Sequence, residues 1–281
     1  VLDPAGGSHY IEARTEALAS AAWSRFRRFE AEGGLSVALE TGRWQDEIRV
    51  RREARFGEVA RRRAPIVGVS VFPNAQEEGA DVEGPGTSVV DGPSFALPKL
   101  GPPDEIRAYV DRDEPWFEPQ AGSRSDSIPA VPHVRWAADF EGFRDRARSL
   151  KQRGERPPRA FLANLGRRAD FSARSTWTYN LLIAGGFDVV DSDGFVEPDA
   201  AARAAVESEA DVIFLCGSDA AYAESGAAFA RALADDGRDV FLAGALRPEL
   251  EDAPLAGFVT AKDDALAFLG QLWARYEGGS K

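Results

Sequence analysis

The side chains with the greatest chemical potential in this sequence follow two apolar runs, residues 160–165 and 212–216. Arg168 and Asp170 come shortly after the first run, and Ser218 comes shortly after the second. A phosphate cradle would need several glycines before a helix, and a flavin phosphate would need a loop rich in Ser, Thr and Gly. A phosphoacceptor site would need an acidic pair directly after the first run. None of these patterns is complete, so each of the three ligand classes is only weakly matched.

Metal and thiol chemistry is limited by the small number of suitable side chains. The only histidines are His9 and His133, which excludes a three-histidine zinc centre within one chain, and we expect structural or surface roles for both. The stretch Asp191-Ser192-Asp193-Gly194 is rich in oxygen ligands but lacks the terminal glutamate of an EF-hand loop, so a turn is predicted. The single cysteine, Cys216, ends an apolar run and is predicted to be a buried, inert thiol. We therefore expect no metal site in this chain.

Alternating apolar runs and helical patterns predict the elements that position these side chains. Five β-α units predict an α/β fold over residues 156–281, with an open, doubly wound, parallel sheet of the flavodoxin-like type and strand order 2-1-3-4-5. In this order, the carboxyl ends of strands 1 and 3 flank the crevice in which ligands bind. The predicted strands are Ala160–Leu165, Phe187–Val190, Val212–Cys216, Val240–Ala243 and Phe258–Thr260, and the predicted helices are Ala173–Ala184, Asp199–Ser208, Ala220–Ala234, a short turn near Pro248–Leu250, and Ala261–Tyr276.

The rest of the chain divides into a helical first part, residues 1–72, and a proline-rich middle part, residues 73–155. Residues 73–132 hold ten of the 17 prolines, which disfavours regular structure, but apolar residues are dispersed among them. We therefore expect an extended segment that lies along another surface. The predicted helices are Thr15–Ala31, Leu35–Glu40, Trp44–Arg63 and Ala137–Arg153, and a buried strand is predicted at Ile66–Val71.

Composition narrows the classes of function. The 281 residues carry a net charge of −12 and have a pI near 4.8, which argues against a nucleic-acid partner because phosphate binding needs clustered positive charge. No apolar run approaches the roughly 20 residues that cross a bilayer, so no membrane association is expected. A single cysteine suits a reducing compartment. These features predict a soluble, cytoplasmic protein.

Two stretches of the sequence resemble the methylmalonyl-CoA mutases, in the order found in that family. The stretch Asp3-Pro4-Ala5-Gly6-Gly7-Ser8-His9-Tyr10-Ile11-Glu12 and the stretch Ile66-Val67-Gly68-Val69 resemble the end of the acyl-CoA-binding barrel. The predicted sheet domain resembles the cobalamin-binding domain. The resemblance implies the end of a (β/α)8 barrel over residues 1–72, a long linker with a helix over 73–155, and a flavodoxin-like, cobalamin-binding-type domain over 156–281. It further implies that the catalytic chains use adenosylcobalamin to interconvert methylmalonyl-CoA and succinyl-CoA.

The sequence departs from this resemblance at the cobalt ligand. Catalytic chains carry Asp-x-His-x-x-Gly after strand 1, where the histidine ligates cobalt and the aspartate orients it, as ligating histidines generally require. Arg168 stands at the aspartate position, and Asp170 stands at the histidine position. No histidine occurs anywhere in residues 134–281, so a local realignment cannot restore the ligand.

A second departure concerns the groove for the nucleotide tail of the cofactor. The family's Ser-x-Leu motif after strand 3 is degenerate around Ser218, and its Gly-Gly motif after strand 4 is reduced to a single glycine, Gly244. The bulky side chains of Trp177 and Tyr179 lie in the first helix, which would have to leave room for the tail. We therefore expect no cobalamin in this domain and no catalytic residue in this chain.

These departures resemble the small, non-catalytic subunits of heterodimeric bacterial mutases. That resemblance implies a large catalytic partner subunit, which holds adenosylcobalamin and binds the acyl-CoA substrate. Two alternatives stay open: a free-standing mutase-like binding or assembly module without activity, and a catalytic chain that binds cobalt without an imidazole. Because the sequence lacks methionine and begins inside a barrel motif, we expect it to be the C-terminal portion of a longer subunit.

Overall fold

The computed structural model describes residues 3–74, 76–77 and 134–279. The described residues fall into two compact units, one that contains residues 3–48 and one that contains residues 49–74, 76–77 and 134–279. Most of the predicted extended segment, together with His133, lies outside the described residues. No helix among the described residues is both long and apolar enough to cross a membrane.

The described residues form the following elements in chain order. The helices are α1 His9–Ala31, α2 Gly34–Glu40, α3 Arg43–Ala60, α4 Ala138–Gln152, α5 Arg168–Ala184, α6 Pro198–Glu207, α7 Asp219–Ala221, α8 Ala227–Ala234 and α9 Ala265–Gly279. A π-helical turn, Tyr222–Gly226, joins α7 to α8, and a 3-10 turn covers Pro248–Leu250. The strands are β1 Arg159–Asn164, β2 Asp188–Val190, β3 Val212–Cys216, β4 Asp239–Ala243 and β5 Gly257–Val259.

The five strands form one parallel sheet in the order β2-β1-β3-β4-β5. This order and the flavodoxin-like type of the sheet confirm the prediction. The central strand β3 is buried along its whole length, which explains why its sequence is continuously apolar rather than alternating. Because all strands run in the same direction, their carboxyl ends lie along one edge of the sheet.

Helices cover both faces of the sheet and bury a separate core on each. One core contains Leu162, Phe214 and the helix residue Trp273, whose Nε1–H donates to the carbonyl of Gly185 at 2.9 Å. The other contains the alternate strand residues and the ring of Tyr222. Neighbouring residues of a strand point to opposite faces, so one short apolar run supplies both cores.

In the first unit, residues 3–48 form helices that pack around a small aromatic contact. Phe29 is buried and packs against the ring of Trp44, with ring centroids 5.2 Å apart. Glu47 pairs with the guanidinium groups of Arg25 and Arg28. Along α1, by contrast, large apolar side chains such as that of Trp23 are exposed.

The predicted strand at Ile66–Val71 is wrong, because this segment folds into a tight turn. Gly68 has a φ of +79°, and its N–H donates to the carbonyl of Val71 at 2.8 Å. The buried Ser70 hydroxyl accepts a hydrogen bond from the N–H of Ile66 at 2.9 Å. A run of six residues with a central glycine can therefore be apolar because one side of a turn is buried, and not because it is a strand.

Within the second unit, the same turn packs against the sheet and its helices. Ile66 lies against the core that contains Leu162, and the Arg144 guanidinium donates to the carbonyl of Gly68 at 3.0 Å. The guanidinium of Arg62 lies over the ring of Trp177, 4.9 Å from its centroid. Residues 49–77 thus share a core with the sheet.

Three of the helices predicted in the sheet domain also differ from the structure. The helix predicted from Ala173 begins at Arg168, because Asp170 caps the helix amino terminus. The helix predicted from Ala261 begins at Ala265, after a turn in which Asp264 accepts a hydrogen bond from the N–H of Ala267 at 2.9 Å. The helix predicted over Ala220–Ala234 contains the π-helical turn.

Candidate functional site

The candidate site is the crevice at the carboxyl ends of β1, β3 and β4, called here the carboxyl-edge crevice. From β1 the chain crosses to β2 on one side of the sheet, and from β3 it crosses to β4 on the other. The loops after β1 and β3 therefore part at this point, which is where doubly wound sheets bind ligands. All four positions singled out in the sequence follow one of these three strands.

In the loop after β1, helix capping engages Asp170. Its carboxylate accepts hydrogen bonds from the backbone N–H and the side-chain Nε–H of Arg167, at 3.1 and 3.2 Å. The backbone bond, with the nearby guanidinium, lowers the pKa of Asp170. Arg168, the first residue of α5, is exposed and makes no side-chain hydrogen bond or ion pair with the described residues. The carboxylate thus satisfies a free helix N–H, a general need of helix starts.

At the end of β3, Ser218 also caps a helix. Its hydroxyl accepts a hydrogen bond from the N–H of Ala221 at 3.1 Å. Four residues later, the side chain of Tyr222, the first residue of the π-helical turn, points back under the ends of the strands. Such turns, which place one more residue per turn than an α-helix, are often found at functional sites.

The residue that points back is Tyr222, whose side chain is 1% exposed. Its hydroxyl accepts a hydrogen bond from the N–H of Gly217 at 2.9 Å. The hydroxyl oxygen also lies 2.9 Å from the carbonyl of Leu215 and 2.8 Å from that of Ala243, to one of which it donates its proton. Burial raises the pKa of Tyr222, so the hydroxyl keeps its proton. One phenol therefore ties together the ends of β3 and β4.

Arg174 enters the crevice above this ring. Its guanidinium donates to the carbonyl of Gly217 and to the carboxylate of Asp219, both at 2.5 Å, and its Cζ lies 4.9 Å from the centroid of the Tyr222 ring. The guanidinium of Arg247 pairs with the same carboxylate at 3.1 Å. Hydrogen bonding to Arg174 is the largest cause of a lowered pKa of Asp219.

Gly244 closes the other side of the crevice. Its φ is +134°, a conformation that side chains rarely adopt, and a Cβ added to it would lie 3.1 Å from Nε of Arg174. Because Gly244 has no side chain, the guanidinium of Arg174 can occupy the space beside it. Gly244 and the two chain neighbours of Ser218 thus contact one guanidinium, whereas Arg168 and Asp170 lie outside this group of contacts.

A second polar cluster lies beside β1 and β2. The amide of Asn164 is buried and donates to the carboxylate of Asp191 and to the carbonyl of Ser192, both at 2.7 Å. The hydroxyl of Ser175 donates to the same carboxylate at 3.2 Å. The aspartate is thus occupied in holding a turn, as predicted for this stretch. Among the described residues, no group of three or more His, Cys, Asp or Glu side chains could hold a metal ion.

Cys216 is buried at the end of β3, which confirms the predicted burial of this thiol. Its Sγ lies 4.0 Å from the hydroxyl oxygen of Thr178. Burial raises the pKa of Cys216 to about 12, so the thiolate is not populated at neutral pH.

The sequence reasoning missed Arg174, Tyr222 and Arg247. Arg174 stands four residues after Asp170, and this helical spacing is the signal that could have placed it near the crevice. The aromatic residues considered instead, Trp177 and Tyr179, are partly buried against the core that contains Leu162.

Comparison with known proteins shows similarity to methylmalonyl-CoA mutases. The family profile described as methylmalonyl-CoA mutase matches residues 1–90. The methylmalonyl-CoA mutase small subunit of Streptomyces virginiae is 38% identical over 271 residues, which cover 96% of this chain and 37% of the relative. The chain is homologous to this methylmalonyl-CoA mutase small subunit over nearly its whole length.

Other relatives match different lengths of the chain. A probable methylmalonyl-CoA mutase small subunit of Mycobacterium bovis is 32% identical over 281 residues, which cover 98% of this chain and 38% of the relative. A methylmalonyl-CoA mutase of Rhizobium meliloti is 36% identical over 85 residues, or 29% of this chain and 12% of that protein. The chain thus spans under two fifths of the length of these small subunits and is homologous to them almost throughout.

The crevice can be compared with the cofactor that the family resemblance implies. At the two positions of the cobalt-ligand motif stand an exposed arginine, Arg168, and a helix-capping carboxylate, Asp170. At the positions of the tail groove, Ser218 caps a helix and Gly244 lies against the guanidinium of Arg174. These side chains do not fit an axial cobalt ligand or an open tail groove.

Proposed function

We propose that this chain is part of a non-catalytic small subunit of adenosylcobalamin-dependent methylmalonyl-CoA mutase, and that it supports a large catalytic subunit. In this proposal, the partner holds adenosylcobalamin, binds the acyl-CoA substrate and isomerises methylmalonyl-CoA to succinyl-CoA. The complex is a heterodimer and works in the cytoplasm. Residues 1–72 form the end of a (β/α)8 barrel, and the proline-rich segment links it to the flavodoxin-like domain.

One observation carries the proposal: the chain's own side chains use the crevice in which the family's catalytic chains would hold the cofactor. Arg174 bonds Gly217 and Asp219 there, and Asp170 caps a helix. A domain that keeps its sheet while its crevice is occupied can still offer surfaces to a partner. The names of the relatives that match nearly the whole chain supply the partner's class.

The absence of cofactor binding can be tested on the purified chain alone. Hydroxocobalamin and adenosylcobalamin are titrated at micromolar concentrations, and binding is measured by equilibrium dialysis and by the visible absorption spectrum. We expect no saturable retention and no spectral change. Stoichiometric binding of either cobalamin would contradict the proposal.

The supporting role needs a second experiment with the partner. A large mutase subunit is mixed with the longer small subunit that contains this sequence, and the mixture is separated by size exclusion and assayed for succinyl-CoA formation. We expect co-elution, and turnover that requires the large subunit and is unaffected by Asp170→Ala. Turnover by the small subunit alone, or its loss in Asp170→Ala, would support a catalytic chain. Failure to co-elute would favour a free-standing module.

A further inference from the structure

We infer that the carboxyl-edge crevice is a guanidinium-binding site that the chain fills with its own Arg174. This inference goes beyond the proposed function and does not depend on it, since it concerns only contacts within one chain. It gives the crevice a ligand class, planar cations of the guanidinium type, and assigns a role to residues that the mutase resemblance leaves without one.

The contacts of Arg174 are of the kinds that recognise a guanidinium group. The carbonyl of Gly217 and the carboxylate of Asp219 accept from its two terminal nitrogens, both at 2.5 Å. Its Cζ lies over the ring of Tyr222, 4.9 Å from the ring centroid. A fork of planar donors and a face that stacks on aromatic rings distinguish arginine from lysine, so this set of partners selects for the guanidinium.

The walls of the crevice have the shape of this occupant. Nε and Cζ of Arg174 lie 3.1 and 3.2 Å from the place where a Cβ of residue 244 would stand, and residue 244 is a glycine. At Gly217, an added Cβ would stand 3.0 Å from the ring of Tyr222. Two glycines thus leave room for one cation and one ring, which an ordinary surface ion pair would not require.

Arg247 acts as a positioning residue in this site. It approaches the Asp219 carboxylate at 3.1 Å, while Arg174 bonds the same group. Because the side chain of Asp219 is 61% exposed, a single ion pair to it would be weak. The carboxylate can hold Arg174 in place because Arg247 orients it from the other side. The guanidinium of Arg174 itself is less exposed, at 30% of its side-chain surface.

The test removes the built-in cation and offers a free one. Arg174→Ala in the 281-residue chain leaves the carbonyl, the carboxylate and the ring in place, and n-propylguanidinium is added at millimolar concentration. We expect a lower Tm for the variant and a saturable recovery of about 3 °C when the ligand exceeds its Kd about tenfold. The wild type should not gain stability, because its site is full.

Two controls separate the site from general salt and arginine effects. Arg167→Ala removes an arginine that also bonds a carboxylate but whose side chain is 87% exposed, so n-propylguanidinium should not stabilise this variant. n-Propylammonium has the same charge and chain but no planar fork, and it should not rescue Arg174→Ala. Equal effects of both cations, or equal stabilisation of the wild type, would overturn the inference.

A second measurement covers the case in which Arg174→Ala does not fold. In the 15N-labelled wild type, the terminal Nη–H groups of Arg174, which make its two hydrogen bonds, should exchange slowly with water at neutral pH, and their signals should be lost in Arg174→Lys, which keeps the charge. If no arginine Nη–H signal is both protected and assigned to Arg174 by this substitution, the guanidinium is not bound and the inference fails.

Discussion

The hydroxyl of Tyr222 should contribute more to the stability of the sheet than any surface ion pair described above. The substitution Tyr222→Phe keeps the ring and removes only the oxygen. The N–H of Gly217 then loses its acceptor, and the carbonyls of Leu215 and Ala243 lose their shared donor. A buried donor without a partner costs about 1–3 kcal/mol, so we expect a loss of about 2 kcal/mol in the free energy of opening.

Hydrogen exchange measured by mass spectrometry can follow this loss in the second unit alone. The amides of Val212–Cys216 lie in the fully buried central strand, and their exchange reports the opening of the sheet. A loss of about 2 kcal/mol corresponds to about a 30-fold faster exchange of this peptide at fixed pH. The change should appear in peptides of β3 and β4 together, because the hydroxyl joins both.

The same substitution at Tyr179 is the matched control. Tyr179 lies in α5 and is partly buried, and its hydroxyl makes no hydrogen bond with the described residues. Tyr179→Phe should therefore change the exchange of β3 by less than about twofold, since no buried group loses a partner. If Tyr222→Phe behaves like this control, the role given to its hydroxyl is refuted.

Three further outcomes follow from single positions. Gly194→Ala should lower the free energy of unfolding in urea by about 2 kcal/mol or more, because the φ of Gly194 is +108° and an added Cβ would stand 2.4 Å from the carbonyl oxygen of Gly166. The control Gly237→Ala should lower it by only about 1 kcal/mol, because Gly237 has a φ of +82° but open space around the added Cβ. Asp219→Asn should be less stable than the wild type at neutral pH. Since the folded pKa of Asp219 lies below its ordinary value of 3.8, the carboxylate's contribution is present above that value, and the difference in Tm should shrink as the pH falls below about 4. Cys216, with a pKa of about 12, should not react with Ellman's reagent at mildly alkaline pH until the chain is unfolded, and rapid labelling of the folded chain would contradict the burial described for it.

The sheet could be predicted from the sequence because burial on both faces leaves a direct trace. Strands such as Val212–Cys216 are apolar at every position, and the intervening helical patterns make parallel pairing the consistent arrangement. The segment at Ile66–Val71 shows the limit of the same reasoning. A short apolar run does not distinguish a buried strand from a turn with one buried side, and only the central Gly68 indicated the turn.

The location of the candidate site could be predicted from the sequence, but the side chains that fill it could not. The position of Ser218 and Gly244 at the carboxyl edge follows from the strand order alone. The occupant of the crevice does not, because it depends on the rotation of α5, which directs Arg174 inward, and on the π-helical turn, which directs Tyr222 under the strands. No residue type encodes such a turn, since one extra residue in a helix is favoured by packing rather than by local propensity.

The outermost strands of the sheet restrict how this unit can associate with another protein. β2 and β5, the two edges, have three residues each. An incoming strand from another molecule could form only about two or three backbone hydrogen bonds with either edge, so continuation of the sheet between molecules gains little. This brevity protects the unit from edge-to-edge aggregation, and it leaves helices and loops, with their individual side chains, as the surfaces by which any partner must recognise it.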